Sequence, residues 1–274
     1  MTGLATLAPT LTSDFDSLWN ARTPSAQRGQ CLVPVSPGSG SPVFCVHWGS
    51  GNIRFIRETT NRWSNGRPVL GFEAVGLYDN ARPLLSVTEM ADRYLRELLA
   101  AQPRGRYTLV GLCSGSHIAF EMARRLTAIG EEVDVLAVVN GVCPGVSVSR
   151  PEWELADIYE LRLAGLRRDF GVADLDPHIP RIMADLKLRG WIDEDARRED
   201  FYPHQLLWAT AAFAQEHYTT EPYHGPLHVF RSSDIRGPGA VPWTSVAPRA
   251  ESTILDAADS VEVLKHSAFA RLFA

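Results

Sequence analysis

RYTLVGLCSGSHIAFEMARRL (residues 106–126) decides the reading of this chain. Its first part, YTLVGL (107–112), is a short apolar run, the pattern of a strand buried on both faces. From about residue 115 to 129 the sequence predicts a helix that ends at Gly130, a glycine suited to a C-cap. Between the two stands Gly111-Leu112-Cys113-Ser114-Gly115. A glycine on each side of a strand-to-helix turn lets the two elements approach closely. The central side chain is then held in a strained conformation above the sheet, at the positive end of the helix. Here that residue is Cys113. Two other readings compete with it. One takes Cys113 as a small buried hydrophobe; the other takes Ser114 as the reactive group, which shifts the motif by one residue and loses the glycine bracket.

The same alternation continues outward. VFCVHW (43–48) breaks into Gly49-Ser50-Gly51 and leads into a helix predicted to about Trp63. PVLGFEAVGL (68–77), VDVLAVVNG (133–141), LHVFRSS (227–233) and STILDA (252–257) are further strand candidates. Ser86-Val-Thr-Glu89 is a capping box, and Val87, Met90, Ala91, Tyr94, Leu95, Leu98 and Leu99 then fall on one helical face. Strands alternating with helices predict an α/β fold, a mostly parallel sheet with helices on both faces. The strand signal stops between Val142 and Gly225, and residues 151–217 are helical in pattern. That stretch reads as a helical lid inserted at about 144–225, over the carboxyl ends of the strands. Residues 1–42 are rich in Ser, Thr, Pro and Gly and end in SPGSGSP, the composition of an arm or linker. Phe15, Leu18 and Trp19 are its one patch with helical spacing. The domain proper is expected over 43–274.

With 274 residues, 45% of them hydrophobic and 22% charged, the chain has the makeup of one large globular domain. A net charge of −5 gives no bulk attraction to nucleic acid or anionic membrane. No apolar run reaches the roughly 18–20 residues of a membrane helix, and the first residues carry no basic segment or apolar core of a secretion signal. The cysteines Cys31, Cys45, Cys113 and Cys143 lack metal-ligand spacing. No metal is expected, and a cytoplasmic location is.

Two amides are expected to serve as oxyanion donors: Ser114 N–H in the turn after Cys113, and Gly49 N–H in the exit His47-Trp48-Gly49-Ser50-Gly51 of the first strand. With that, the resemblance is plain. LVPVSPGSGSPVFCVHWGSG (32–51), RYTLVGLCSGSHIAFEMARRL (106–126), GEEVDVLAVVNG (130–141) and YHGPLHVFRSSD (223–234) resemble segments of the thioesterase domains of nonribosomal peptide and polyketide synthases. Those domains belong to the α/β-hydrolase superfamily, and the similarity runs from about Leu32 to Leu272. The resemblance implies an α/β-hydrolase fold and a carrier-protein partner. It implies no bound cofactor, the carrier's phosphopantetheine arm being part of the substrate. It also implies a triad that this chain keeps only in part. The nucleophile position, serine in most relatives, is Cys113. The acid position falls on Asn140; some relatives carry the acid one strand later, where this chain has Asp234. The histidine position falls on Ser260, in Ala258-Asp259-Ser260-Val261. His266 lies six residues further on, about 9 Å along a helix. His47 belongs to the family's first-strand exit and reads as support for the oxyanion loop, with Trp48 beside it. His117, His224 and His228 are expected to be structural.

A serine that lacks a base loses about 10²–10⁴ in rate. A cysteine loses less, because at an ordinary pKa of about 8.5 forming thiolate at pH 7 costs only about 2 kcal/mol, and a helix N-terminus is expected to lower that further. A pantetheine thiolate leaves without an acid. Water or an alcohol needs a base to attack the resulting acyl-cysteine, whereas a thiolate or neutral amine does not. The residues therefore favour an acyltransferase that takes an acyl, aminoacyl or peptidyl group onto Cys113 and passes it to a thiol or amine. The alternatives are a releasing or editing thioesterase with a relocated base, and a non-catalytic module that binds carrier proteins.

Overall fold

The structure, a computed structural model, describes residues 29–78, 81–145, 152–233 and 242–274. Seven strands form one sheet: β1 (Leu32–Ser36), β2 (Val43–Val46), β3 (Val69–Phe72), β4 (Arg106–Leu112), β5 (Glu132–Val139), β6 (Leu227–Ser232) and β7 (Ala250–Leu255). Their order is β1-β3-β2-β4-β5-β6-β7. Every pairing is parallel except β1 with β3. This is the α/β-hydrolase fold expected above, a mostly parallel sheet with helices packed on it.

β4 is the middle strand, with β2 and β5 on either side, and all four residues of β2 are buried. That is why VFCV is continuously apolar and not alternating. Helix α3 (Val87–Ala101) buries Val87, Met90, Ala91, Tyr94 and Leu98, and the Ser86 hydroxyl accepts from Glu89 N–H as its N-cap. On that face Tyr94 stacks on Phe72 at 4.8 Å between ring centres. Helix α4 (Gly115–Ala128) follows β4 and is buried along most of its length. Glu121 anchors it. This buried carboxylate takes Arg124 Nε at 2.9 Å, Arg125 Nε at 2.5 Å and the Tyr218 hydroxyl at 2.8 Å. Burial alone would push its pKa up, but those donors outweigh it and hold the group ionised, below the usual carboxylate range.

The lid is helical, as the pattern predicts. It consists of α5 (Leu155–Phe170), α6 (Ile179–Leu188) and α7 (Phe201–Glu216), with its own core around Tyr159, Leu163, Ile182 and Leu206. Two short helices, α8 (Ser260–Lys265) and α9 (Ser267–Ala270), close the chain. No helix among the described residues is long and apolar enough to cross a membrane.

The arm predicted for residues 1–42 ends too late. Leu32–Ser36 is edge strand β1, antiparallel to β3 with a register shift between Pro34 and Ser36. Proline is tolerated on an edge strand, and together with the irregular register it erases the alternation that marks strands in sequence. The Phe15, Leu18 and Trp19 patch lies outside the described residues. The helix expected up to Trp63 is two single turns, α1 (Arg54–Arg57) and α2 (Thr60–Trp63), and the strand expected over 68–77 is only Val69–Phe72.

Candidate active site

Cys113 stands between β4 and α4 with a φ of 50°. A left-handed conformation in a residue other than glycine costs about 1–3 kcal/mol. The bracketing glycines are needed for contact, not for their own freedom. A Cβ on Gly115 would lie 2.0 Å from the His47 carbonyl oxygen, and one on Gly111 would lie 2.6 Å from Ser116 Cα. The elbow is thereby pressed against the exit of β2, which brings the Gly49 turn alongside it. Among the described residues no backbone carbonyl takes up the Gly49 or Ser114 N–H.

His47 supports this junction from below. It is buried, its Nδ1–H donates to Trp48 O at 2.7 Å, and its Nε2 accepts from the Tyr94 hydroxyl at 2.8 Å. Burial lowers its pKa to about 4 despite the bond to Trp48, so the ring is neutral and committed. Trp48 is half-buried, packed on Phe55 at 4.0 Å and edge-on to Trp191 at 5.8 Å.

At the ends of the neighbouring strands the structure joins two residues that the sequence separates by 120 positions. Asn140 Nδ2 donates to Ser260 Oγ at 2.9 Å. Asn140 Oδ1 accepts from Ser232 N–H at 2.8 Å and from the Ser232 hydroxyl at 3.3 Å. Asn140 too is left-handed, with a φ of 53°, a conformation that asparagine tolerates better than most residues. Cys113 N–H bonds to Val139 O at 2.8 Å, directly before Asn140. A carboxamide thus holds a hydroxyl at the two positions to which the resemblance assigns the acid and the histidine. Neither group is a base at neutral pH.

The remaining candidates are placed elsewhere. His266 caps α9, with its Nδ1 accepting from Ala268 N–H at 3.1 Å. Among the described residues no histidine hydrogen-bonds Cys113. Asp234 lies outside the described residues. His117 is buried, donates from Nε2 to Val142 O at 2.8 Å, and is brought to a pKa of about 4 by burial. His228 lies 3.7 Å from exposed Glu251, and His224 is exposed. Sequence reasoning missed Ser232, whose only signal is its place in FRSSD ahead of Asp234. It also missed Trp191 and Trp208 of the lid. The Trp208 indole lies against Gly49, where an added Cβ would be 2.7 Å from its Nε1. Asn52 Nδ2 donates to Trp191 O at 3.0 Å, and Arg54 reaches Asp193 at 3.4 Å and Glu194 at 2.8 Å. These three ties join lid to core.

The thiol itself differs from expectation. Cys113 is exposed, yet desolvation by the neighbouring protein raises its pKa, and the Ser114 N–H pulls it back only in part. The predicted lowering by the helix terminus is outweighed by desolvation. Alkylation of Cys113 by iodoacetamide is therefore expected to accelerate about tenfold per pH unit from about pH 6 past about pH 8.5, because only thiolate reacts. Cys31, Cys45 and Cys143 are buried, and peptide mapping separates their slower labelling. A plateau below about pH 8 would show a lowered pKa and overturn this.

A family model for the thioesterase domain matches residues 41–162, a shorter span than the resemblance read from the sequence. Atromentin synthetase of Tapinella panuoides is 33% identical over 118 residues, 42% of this chain and 12% of that protein. Microperfuranone synthase of Emericella nidulans is 35% identical over 111 residues, 40% of this chain and 12% of that protein. The matched part of this chain thus spans about an eighth of these relatives' length. Among solved structures, the type II thioesterase BorB from the borrelidin biosynthetic cluster superimposes with a TM-score of 0.65 at 18% identity, over 91% of this chain and 100% of that one. The four-domain nonribosomal peptide synthetase holo-AB3403 gives 0.71 at 17% identity, over 89% of this chain and 20% of that one. At such identities the likeness is one of fold.

Proposed function

We propose that this chain, whose residues 41–162 match the thioesterase-domain model, is an acyltransferase that moves acyl, aminoacyl or peptidyl groups between carrier-bound thioesters and a thiol or amine. One observation carries the reading. An elbow that presents a cysteine is flanked by Asn140 bonded to Ser260, in place of the charged acid–base pair that hydrolysis by a serine requires.

In the first half-reaction Cys113 loses its proton to solvent through its exposed face. The thiolate attacks the thioester carbonyl, the oxyanion is held by the Ser114 and Gly49 amides, and the bond to the pantetheine sulfur breaks. The departing thiolate takes up a proton, so charge and protons balance. The exchange trades one thioester for another and is close to isoenergetic. The raised thiol pKa adds about 1.4 kcal/mol per unit to the cost of forming the nucleophile, which makes the oxyanion donors more important. In the second half-reaction an acceptor thiolate or neutral amine attacks as it stands. Water and hydroxyls need a base, and none is bonded to Cys113 among the described residues. Carrier proteins follow as the partner class from the relatives' membership in multidomain synthetases.

Acyl-loaded carrier protein should leave an acyl adduct on this chain, read by intact mass and absent in Cys113→Ala. If iodoacetamide labels Cys113 but no acyl thioester does, both enzymatic readings fail and the non-catalytic carrier-binding module takes their place.

A further inference from the structure

Helix α7 lays two consecutive side chains on the β2 exit. Leu207 meets Gly51, where an added Cβ would lie 2.8 Å from its Cδ2, and Trp208 meets Gly49. The part of the indole that reaches Gly49 is its pyrrole edge. A Cβ at Gly49 would stand 2.7 Å from Nε1 and 2.8 Å from Cδ1, with Cε2 next at 3.4 Å. Standard backbone dimensions then put Nε1 within about 5 Å of the Gly49 nitrogen. Two other indoles use their N–H inside the fold: Trp63 donates to Thr59 Oγ1 at 3.2 Å and Trp243 to Gly141 O at 3.3 Å. Trp208 is half-buried, and among the described residues no acceptor takes its N–H.

Arg162 of α5 steadies the ring. Its guanidinium lies 4.7 Å from the centre of the Trp208 ring, and its Nε donates to the buried Gln205 Oε1 at 2.9 Å. Gln205 is held in turn by its own amide on Phe201 O at 3.3 Å. Swinging the indole off Gly49 would break the cation–π contact. Burial draws the Arg162 pKa down only to about 10, so the group is charged at neutral pH. A cation on the ring face draws electron density from the pyrrole nitrogen and makes its N–H a stronger donor. An indole nitrogen donates and does not accept, so what it can meet beside Gly49 is an acceptor. When the Cys113 thiolate attacks a thioester, the new C–S bond forms as the carbonyl π pair moves onto oxygen, next to the Ser114 and Gly49 amides. Donors that converge on one oxyanion stand about 2.7–3.1 Å from it, so any two of them lie no more than about 6 Å apart. The Trp208 and Gly49 nitrogens meet that condition.

We infer that the Trp208 N–H is a third oxyanion donor, delivered by the lid, and that Trp208 is thereby a catalytic residue of acyl transfer. This rests on the acyl-transfer reading above. The competing role is that of a wall, in which the ring fills space beside Gly49 and its N–H does nothing.

The test follows acylation of Cys113 by S-acetyl pantetheine, read by intact mass over a range of concentrations. Alkylation of Cys113 by iodoacetamide is followed in parallel, because it displaces iodide and forms no oxyanion. Two variants remove the N–H: Trp208→Phe, and β-(3-benzothienyl)alanine at position 208, which keeps the bicyclic shape with sulfur in place of N–H. In both, the plateau rate of acylation is expected to fall by about 10²-fold, the usual loss of one oxyanion donor, with half-saturation and alkylation close to native. Acylation at the native rate in both variants overturns the inference and leaves the wall. So does a native rate in the benzothienyl variant alone, which would make ring shape the reason. A raised half-saturation with an unchanged plateau would assign the N–H to ground-state binding, and an equal loss in alkylation would place the effect at the thiol; either overturns it. If S-acetyl pantetheine does not acylate the native chain, the acyl-transfer reading is what has failed. p-Nitrophenyl acetate then tests Trp208 by itself, since attack on its carbonyl builds the same oxyanion and p-nitrophenolate leaves without an acid. The same fall in both variants supports the proposal, while no fall, or no acylation of the native chain by this ester either, sinks it.

Discussion

Cys113→Ser is expected to slow acyl transfer from a carrier thioester by at least about 10²-fold, the usual loss when a hydroxyl nucleophile works without a general base. The exchange of sulfur for oxygen leaves the elbow untouched. The φ of 50° at this position is one that serines at such turns adopt, and both glycine contacts remain. What changes is the proton. Even with its pKa raised, a thiol yields far more anion near neutrality than a hydroxyl does. Asn140 and Ser260 have only a carboxamide and a hydroxyl to offer, and His266 is occupied in capping α9. The measurement is the initial rate of adduct formation at fixed pH, native chain against variant. A serine variant with most of its activity would reveal a base within reach of residue 113 and turn the reading towards a releasing or editing thioesterase.

The second large effect concerns the acceptor. Pre-formed acyl-Cys113 is expected to persist in plain buffer and to discharge about 10²-fold faster, or more, once a holo carrier protein or a suitable amine is present, the factor again being that of the absent base. A hydroxyl acceptor should resemble water and stay slow. The Asn140–Ser260 pair is the reason: it has no lone pair basic enough to deprotonate water as it attacks. Decay of the adduct mass, first in buffer alone and then with each acceptor, reads the partition directly. Quick loss in buffer, indifferent to added acceptor, would make this chain a hydrolase.

The sequence made the strand–turn–helix around Cys113 legible because each constraint there is local: an apolar run, two glycines and a C-cap within one stretch of chain. The lid was legible as helix for the same reason, through periodicity. What it does to the site was not, because the contacts that matter bring α7 onto the β2 exit, and periodicity does not record which face of one element meets which turn of another. Trp208 on Gly49 and Arg162 on Trp208 are of this kind. Asn140 and Ser260 were each identified as departures from a pattern, but the bond between them spans 120 residues and is a property of the sheet order. Ser232 escaped altogether, since a serine at a strand end has no distinctive neighbours. The β1 edge was lost to its proline and its irregular register, and the thiol pKa was misjudged because a helix terminus can be read from sequence while the packing around a sulfur cannot.

The contact between Trp208 and Gly49 also bears on how such chains can be recombined. Helical lids look like interchangeable modules, since each has its own core and is inserted between two strands. Here the insert supplies the wall of the oxyanion turn, and the core in turn supplies Asn52 and Arg54 as its moorings. A lid transplanted from a relative, with breakpoints chosen at the strand ends, keeps the fit only where it brings an indole to the place that Gly49 leaves free. Without that indole the chimera would fold in two sound halves with an ill-fitting seam beside the Gly49 turn. The unit that can be exchanged intact is the lid together with the β2 exit, two pieces distant in sequence whose surfaces fit each other.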